Sequence, residues 1–236
     1  MRTALVEPPG AIVLGVAPTL REDWRPWRTP SPLDGRRPGK EDLAAAARSQ
    51  LGRQDVLPYP TDEACTGRLR LLVVGINPGL WTAAVNAPFA RPGNRFWPSL
   101  HRAGVTPRLV DASCGLARCD ERMLAERGVG IVNLVQRATA RADELTGDEL
   151  RTGAQRLIAR VRVLRPRLVA VAGVTAFRTA FDRPRAALGA QQAGDIDGWP
   201  AQVALWVLPN PSGLNAHETV ESLGQWWRRV WAASPT

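Results

Sequence analysis

Four apolar runs constrain this chain more than any other feature: LRLLVVGI (69–76), GVGIVNLV (128–135), RLVAVAG (167–173) and QVALWVLP (202–209). Each reads as a short strand covered on both faces. Stretches with helical spacing lie between and after them, roughly 94–103, 146–164, 174–181 and 217–232, the last with its tryptophans on a helical spacing. Strands alternating with helices imply a parallel sheet between two helical layers, an α/β/α sandwich. Ligands bind such sheets beyond the carboxyl ends of the strands, so the turns after the runs are where chemistry is sought. Upstream, EDLAAAARSQLG (41–52) predicts a short helix with an acidic first turn. Residues 1 to about 38 mix Pro, Arg, Trp and Gly without periodicity, a composition expected to stay disordered. The chain divides accordingly into an N-terminal arm, 1–66, and a folded domain, 67–236.

Three turns stand out. GINPGL places Asn77 just past the first run, with Pro78 fixing φ and Gly75 and Gly79 permitting close backbone approach. An asparagine is no strong base, but its amide both donates and accepts, so it could orient a water or bind a polar base edge. NAPFARPGNRFW (86–97) is too rich in Pro and Gly for a helix around Phe89, whose ring is either presented to a planar ligand or part of the core. Asn94 reads as a helix start, and Phe96 and Trp97 as core. LPNPSGLNAH (208–217) is again a polar turn after a strand, with Asn210, Ser212 and Gly213 leading to Leu214. An apolar tip on a polar loop can act as a wedge between bases, although loop tips also carry stray leucines.

Charge narrows the partner. Residues 1–66 hold nine basic and nine acidic side chains, and 67–236 hold 22 basic and 13 acidic, so the net +9 belongs to the domain. That excess suggests a polyanion, most simply nucleic acid. Three cysteines without a C-x-x-C pair, and two histidines, argue against a metal or iron–sulfur site and suggest a reducing compartment. No secretory signal or long apolar span is evident, so a soluble cytoplasmic protein is expected. Other chemistries fail on their spacing. NPSGL is not a nucleophile elbow, HETVE lacks the second histidine of a zinc motif, and DIDGW lacks the later glutamate of a calcium loop.

Taken together, GINPGL, FARPGNRFW and LPNPSGL, in this order, resemble the mismatch-specific uracil/thymine-DNA glycosylase family of the uracil-DNA glycosylase superfamily. The resemblance runs from about residue 67 to 231. It implies a sandwich with a central four-stranded parallel sheet, and a monofunctional base-excision repair hydrolase that needs no metal or other cofactor. It further implies that Asn77 positions the hydrolytic water, that Phe89 stacks on the flipped base, and that the main chain from Ile76 to Gly79 bonds the base. VNLVQRAT (132–139) looks like the pocket-lining segment, which puts Asn133 and Thr139 near the base edge, with Asn210 beside them. Ser212, Gly213 and Leu214 match the loop that enters the duplex. The implied partner is double-stranded DNA carrying a mispaired or damaged base, in the cytoplasm at a bacterial nucleoid; domain size and the absence of an apolar seam lead us to expect a monomer. In several relatives an arginine follows the wedge leucine closely, where this chain has Asn215, Ala216 and His217. Some relatives carry lysine where Asn133 stands.

Such residues suit the reaction. A base inside a duplex must be flipped out, which costs a few kcal/mol and least for a mispair. Uracil leaves comparatively well as an anion, so a positioned water and preorganised N–H donors could suffice. With asparagine at both 77 and 210 a modest rate is expected, and a carboxylate or imidazole in either place is expected to be faster. Asp111 is the nearest acid after the first motif. Lys40 is the only lysine, and its place in the arm speaks against Schiff-base chemistry. The competing readings are an idle reader of damaged or mispaired DNA and a hydrolase of free nucleosides.

Overall fold

The computed structural model describes residues 31–48, 55–56 and 69–234. The disorder expected of the arm falls, for residues 1–30 and most of 49–68, outside the described residues. The four apolar runs form β1 (Leu71–Gly75), β2 (Val129–Asn133), β3 (Leu168–Ala172) and β5 (Ala204–Leu208), all mutually parallel. A fifth strand, β4 (Gly189–Ala190), pairs antiparallel with Trp206 and Val207, giving the order β2-β1-β3-β5-β4. The expected sheet of four parallel strands is thus corrected to five. Two residues carry no periodicity that could announce β4; it exists because the outer edge of β5 needs a partner for its backbone groups. At the opposite edge, Val56 exchanges two hydrogen bonds of 2.8 Å with Ile131 and caps β2 in the same way.

Alternation along the strands serves two helical layers. Leu71, Val73, Ile131, Ala170 and Leu208 face α3 (Phe96–Arg102), α4 (Arg118–Glu126) and α7 (Val220–Ala233), where Phe96, Leu124 and Trp227 are buried. Leu72, Val74, Val169, Val171, Leu205 and Val207 face α5 (Gly147–Leu164) and α6 (Val174–Ala180). Both faces of β1, β2 and β3 are dry, and β5 is dry except at exposed Ala204 and half-buried Trp206, which is why their sequences read as continuous apolar runs. The sequence anticipated α3, α5, α6 and α7 closely, and missed α4 and the six-residue α2 (Leu80–Val85). Helix α1 (Lys40–Arg48) is the helix expected near 41–52, and it packs against α2. Among the described residues no helix is long and apolar enough to cross a membrane.

The start of α5 is sharply defined. Thr146 accepts a hydrogen bond from Glu149 N while the Glu149 carboxylate accepts from Thr146 N, a reciprocal cap. Leu150, Ala154, Leu157, Ile158 and Val161 form its buried stripe. The first crossover runs from β1 to β2 on one side, and the next returns from β2 past β1 to β3 on the other. Their carboxyl ends therefore open the crevice in which doubly wound sheets bind ligands.

Candidate active site

Where β1, β2, β3 and β5 end, the loops enclose a cavity of about 130 Å³. A dry pocket of about 150 Å³ admits benzene, so this one is of a size for a single planar ring. Asn77, Phe89, Asn133, Thr139, Asn210 and Leu214 line it, as do Ile76, Gly79 and Ser212. Of the expected site residues only Gly213 stands outside the lining, one position before the tip. Two larger hollows, of about 420 and 490 Å³, lie against α5, α6 and the 182–197 segment and contain none of these residues.

The orientation of Asn77 is set by its partners. Its Nδ2 donates to the carbonyl of Arg137 at 2.9 Å and to Thr139 Oγ1 at 2.7 Å. A carbonyl can only accept, and the single hydroxyl proton of Thr139 is already given to Arg141 O at 2.7 Å. Both neighbours are therefore acceptors, and the amide nitrogen must face them. Oδ1 is left as an acceptor for something else. Arg137 is itself fixed: Nε and Nη2 grip the Glu149 carboxylate at 2.6 and 3.0 Å, and Nη2 also reaches Glu144 O at 2.9 Å. The hydrogen bond from Arg137, with help from Thr146 N–H, holds the Glu149 carboxyl down at about 2. Asn77 is thus anchored through the cap of α5.

Asn210 presents the complementary chemistry. Its Oδ1 accepts from Ser212 N at 3.0 Å, and only an oxygen can face that N–H. Its Nδ2 is then the donor left at the cavity wall. Deeper in, Thr139 N donates to Pro78 O at 3.1 Å and Val135 N to Ile76 O at 2.9 Å. Those carbonyls are occupied, while the N–H groups of Asn77 and Gly79 take no acceptor among the described residues.

Phe89 answers the choice between presented and core by being both. Its ring stacks on the buried Phe96 with centroids 3.9 Å apart, and also lines the cavity. Its backbone sits at φ +52°, a left-handed conformation that a bulky residue adopts only when its surroundings impose it. They do: Trp97 Nε1 donates to Pro88 O at 3.0 Å, and Ala90 N donates to Thr82 Oγ1 at 3.2 Å, pinning both neighbours. The glycine at 75 leaves room chiefly for the Asn133 side chain, and next for this ring. A Cβ there would lie 2.4 Å from Asn133 Oδ1 and 3.2 Å from Phe89 Cζ. Asn133, at the end of β2, is buried above that glycine.

Leu214 is 68% exposed at the mouth, the most exposed large apolar side chain among the described residues. Asp111 is not at the site. It accepts from Ser113 N at 2.9 Å in the loop before α4, and that bond lowers its pKa. No group of metal-binding side chains occurs among the described residues.

Sequence reasoning missed the supporting residues. Asp55 and Arg160, 105 positions apart, form a buried ion pair at 2.7 Å beside the pocket-lining segment. Burial pushes the Asp55 carboxyl up, against the pull of the Arg160 guanidinium. Nothing in the local sequence announces that pair. The Arg137–Glu149 contact had one legible half, the Thr146-x-x-Glu149 cap signature.

In a comparison with protein families, the model of the Uracil DNA glycosylase superfamily matches residues 62–233 of this chain.

Proposed function

The chain belongs to the Uracil DNA glycosylase superfamily, and on that premise we propose that it excises uracil from DNA, above all from G·U mispairs, by hydrolysis of a flipped nucleotide. The observation that carries the reading is the fixed amide of Asn77. With Nδ2 committed to Arg137 O and Thr139 Oγ1, Oδ1 accepts a hydrogen bond from a water and turns a lone pair of that water toward C1′. The water oxygen forms the bond to C1′ as the N-glycosidic pair departs with the base. The base leaves as an anion and takes its proton from solvent, and the attacking water releases its own. Asn77 accepts a hydrogen bond and no proton.

Phe89 supports the flipped ring from one side, backed by Phe96. Asn210 Nδ2 and the N–H groups of Asn77 and Gly79 are donors for the charge that gathers on the base, preorganised so that no reorientation is needed during the reaction. The cavity suits one ring, and Leu214 fills the space that the base vacates. The arginine-rich domain supplies binding to the phosphates that is independent of sequence and weakened by salt. Thymine and modified pyrimidines are secondary substrates of the same pocket. Lys40 is the only lysine of the chain and the reading makes the enzyme monofunctional, so borohydride should trap no DNA adduct.

The test is a labelled duplex with one G·U mispair, beside A·U, G·T and single-stranded uracil, with alkali to reveal abasic sites. Cleavage of G·U that Asn77→Ala abolishes without loss of DNA binding supports the reading. Binding of mispaired duplex with no cleavage of any substrate would make the chain a reader of damaged DNA.

A further inference from the structure

A wedge must be in position when the duplex arrives, yet Leu214 is exposed, so nothing about its own burial holds it in place. Bonds within the loop close its turns: Ser212 N to Asn210 Oδ1, Asn215 N to Ser212 O and Asn215 Nδ2 to Asn210 O, each at 3.0 Å. None of them ties the tip to the body of the protein.

Arg95 does. Its N–H donates to Pro211 O at 2.9 Å, and its Nη1 bridges Ser212 O at 3.1 Å and Asn215 O at 2.9 Å. The two bridged carbonyls flank Gly213 and Leu214, so one guanidinium spans the base of the tip. The two loops also touch directly, since a Cβ on Gly213 would lie 2.7 Å from Gly93 O. Arg95 comes six positions after Phe89 in the same segment, so the stacking loop and the wedge loop are joined. Among the described residues no ion pair joins Arg95 to a carboxylate, and its hydrogen bonds go to these carbonyls.

We infer that Arg95 is a positioning residue for Leu214, holding the wedge loop in its inserting geometry before DNA binds. The inference rests on the wedge role proposed above. Without Arg95 the tip must be ordered during binding, and that entropy comes out of the affinity and rate for duplex substrates. A single strand has no stack to wedge, so its cleavage does not depend on Arg95.

The experiment measures kcat/KM on G·U duplex and on single-stranded uracil for wild type, Arg95→Met, Arg95→Lys, Leu214→Ala and Arg95→Met/Leu214→Ala. The expected result is a loss of about 10- to 100-fold on duplex for Arg95→Met, the size set by a misplaced group, with the single-stranded rate unchanged. Arg95→Lys should lose duplex activity too, because a lysine cannot span two carbonyls in a fixed fork. In the Leu214→Ala background Arg95→Met should cost nothing further. Equal losses on both substrates, or additive losses in the double variant, would overturn the inference while leaving the wedge intact. A salt slope lowered by about 0.9 in Arg95→Met, with Arg95→Lys normal, would instead make Arg95 a phosphate contact. If Leu214→Ala alone leaves duplex activity whole, the wedge reading fails first. Should Arg95→Met fail to fold, Arg95→Lys decides by the same duplex-to-single-strand ratio.

Discussion

Replacing Asn77 with aspartate preserves shape and inverts the chemistry of one atom. In the native site Nδ2 gives its two protons to Arg137 O and Thr139 Oγ1, 2.9 and 2.7 Å away. Aspartate puts an oxygen there, facing a carbonyl that cannot donate. The Thr139 hydroxyl can donate to it only by abandoning Arg141 O. Two hydrogen bonds worth about 0.5–1.5 kcal/mol net each are lost, so Asn77→Asp should destabilise the fold by about 1–3 kcal/mol. For a domain of this size that lowers Tm by about 2–4 °C per kcal/mol. The alternative open to the carboxylate is to rotate away, which moves the acceptor proposed to hold the water. By either route the stronger base is misplaced. We expect Asn77→Asp to cleave the G·U duplex no faster than wild type, even though a carboxylate in isolation would be the better catalyst. Asn77→Ala should fall by about 10²- to 10⁴-fold, the usual worth of a group that acts on the reacting proton or its carrier. The penalty in Asn77→Asp should also shrink in acid, because a protonated carboxyl can donate to Arg137 O again. Calorimetry and single-turnover rates on one duplex decide the matter. An Asn77→Asp enzyme that is faster than wild type with an unchanged Tm would refute the orientation assigned to Asn77.

Three further outcomes are expected from the geometry. Phe89→Ala and Phe89→Gly should both weaken binding of a uracil-containing strand by about 1–3 kcal/mol, the worth of one stacked base. Phe89→Gly should nevertheless be the more stable of the two, by about 1–2 kcal/mol, because glycine adopts the left-handed backbone at φ +52° without penalty; equal melting temperatures would count against that. Asp55→Ala should cost about 3–5 kcal/mol by stripping buried Arg160 of its carboxylate, read by denaturant unfolding, and a change below about 1 kcal/mol would show that the pair is not buried in solution. Glu149 has a folded pKa lowered from 4.5 to about 2, so its pairing with Arg137 stabilises the protein above about pH 4.5 and is lost as pH falls toward 2. The Tm difference between wild type and Glu149→Gln should accordingly be constant above about pH 5 and close below it, and a difference that instead grows in acid would reverse the sign of the assignment.

The sequence showed the strands because parallel strands between two helical layers are dry on both sides, and uniform apolarity is visible without any partner. It showed α5 because its apolar residues keep a helical spacing over a long stretch, and α7 because its tryptophans fall on a helical spacing. It missed β4, whose two residues are a strand only by pairing with Trp206 and Val207. It missed α2, which begins in the turn after β1 and is too short for a period to register.

The site divides along the same line. Residue types and their order after the strands singled out Asn77, Phe89, Asn210 and Leu214 in turns expected to converge, and the family resemblance added Asn133 and Thr139; all six line one cavity. What each residue presents there was decided by contacts from distant parts of the chain. The side of the Asn77 amide that faces the cavity depends on Arg137 and Thr139, 60 and 62 positions on, and the hold on the loop that carries Leu214 depends on Arg95. The expectation that a carboxylate would improve on Asn77 came from treating the side chain alone; the two acceptors behind it are the ground for predicting no gain. Periodicity and turn chemistry are properties of neighbours in sequence, so the sequence alone determined the elements and their convergence. Hydrogen-bond polarity, a strained φ and a buried ion pair are properties of neighbours in space, and these only the tertiary structure could decide.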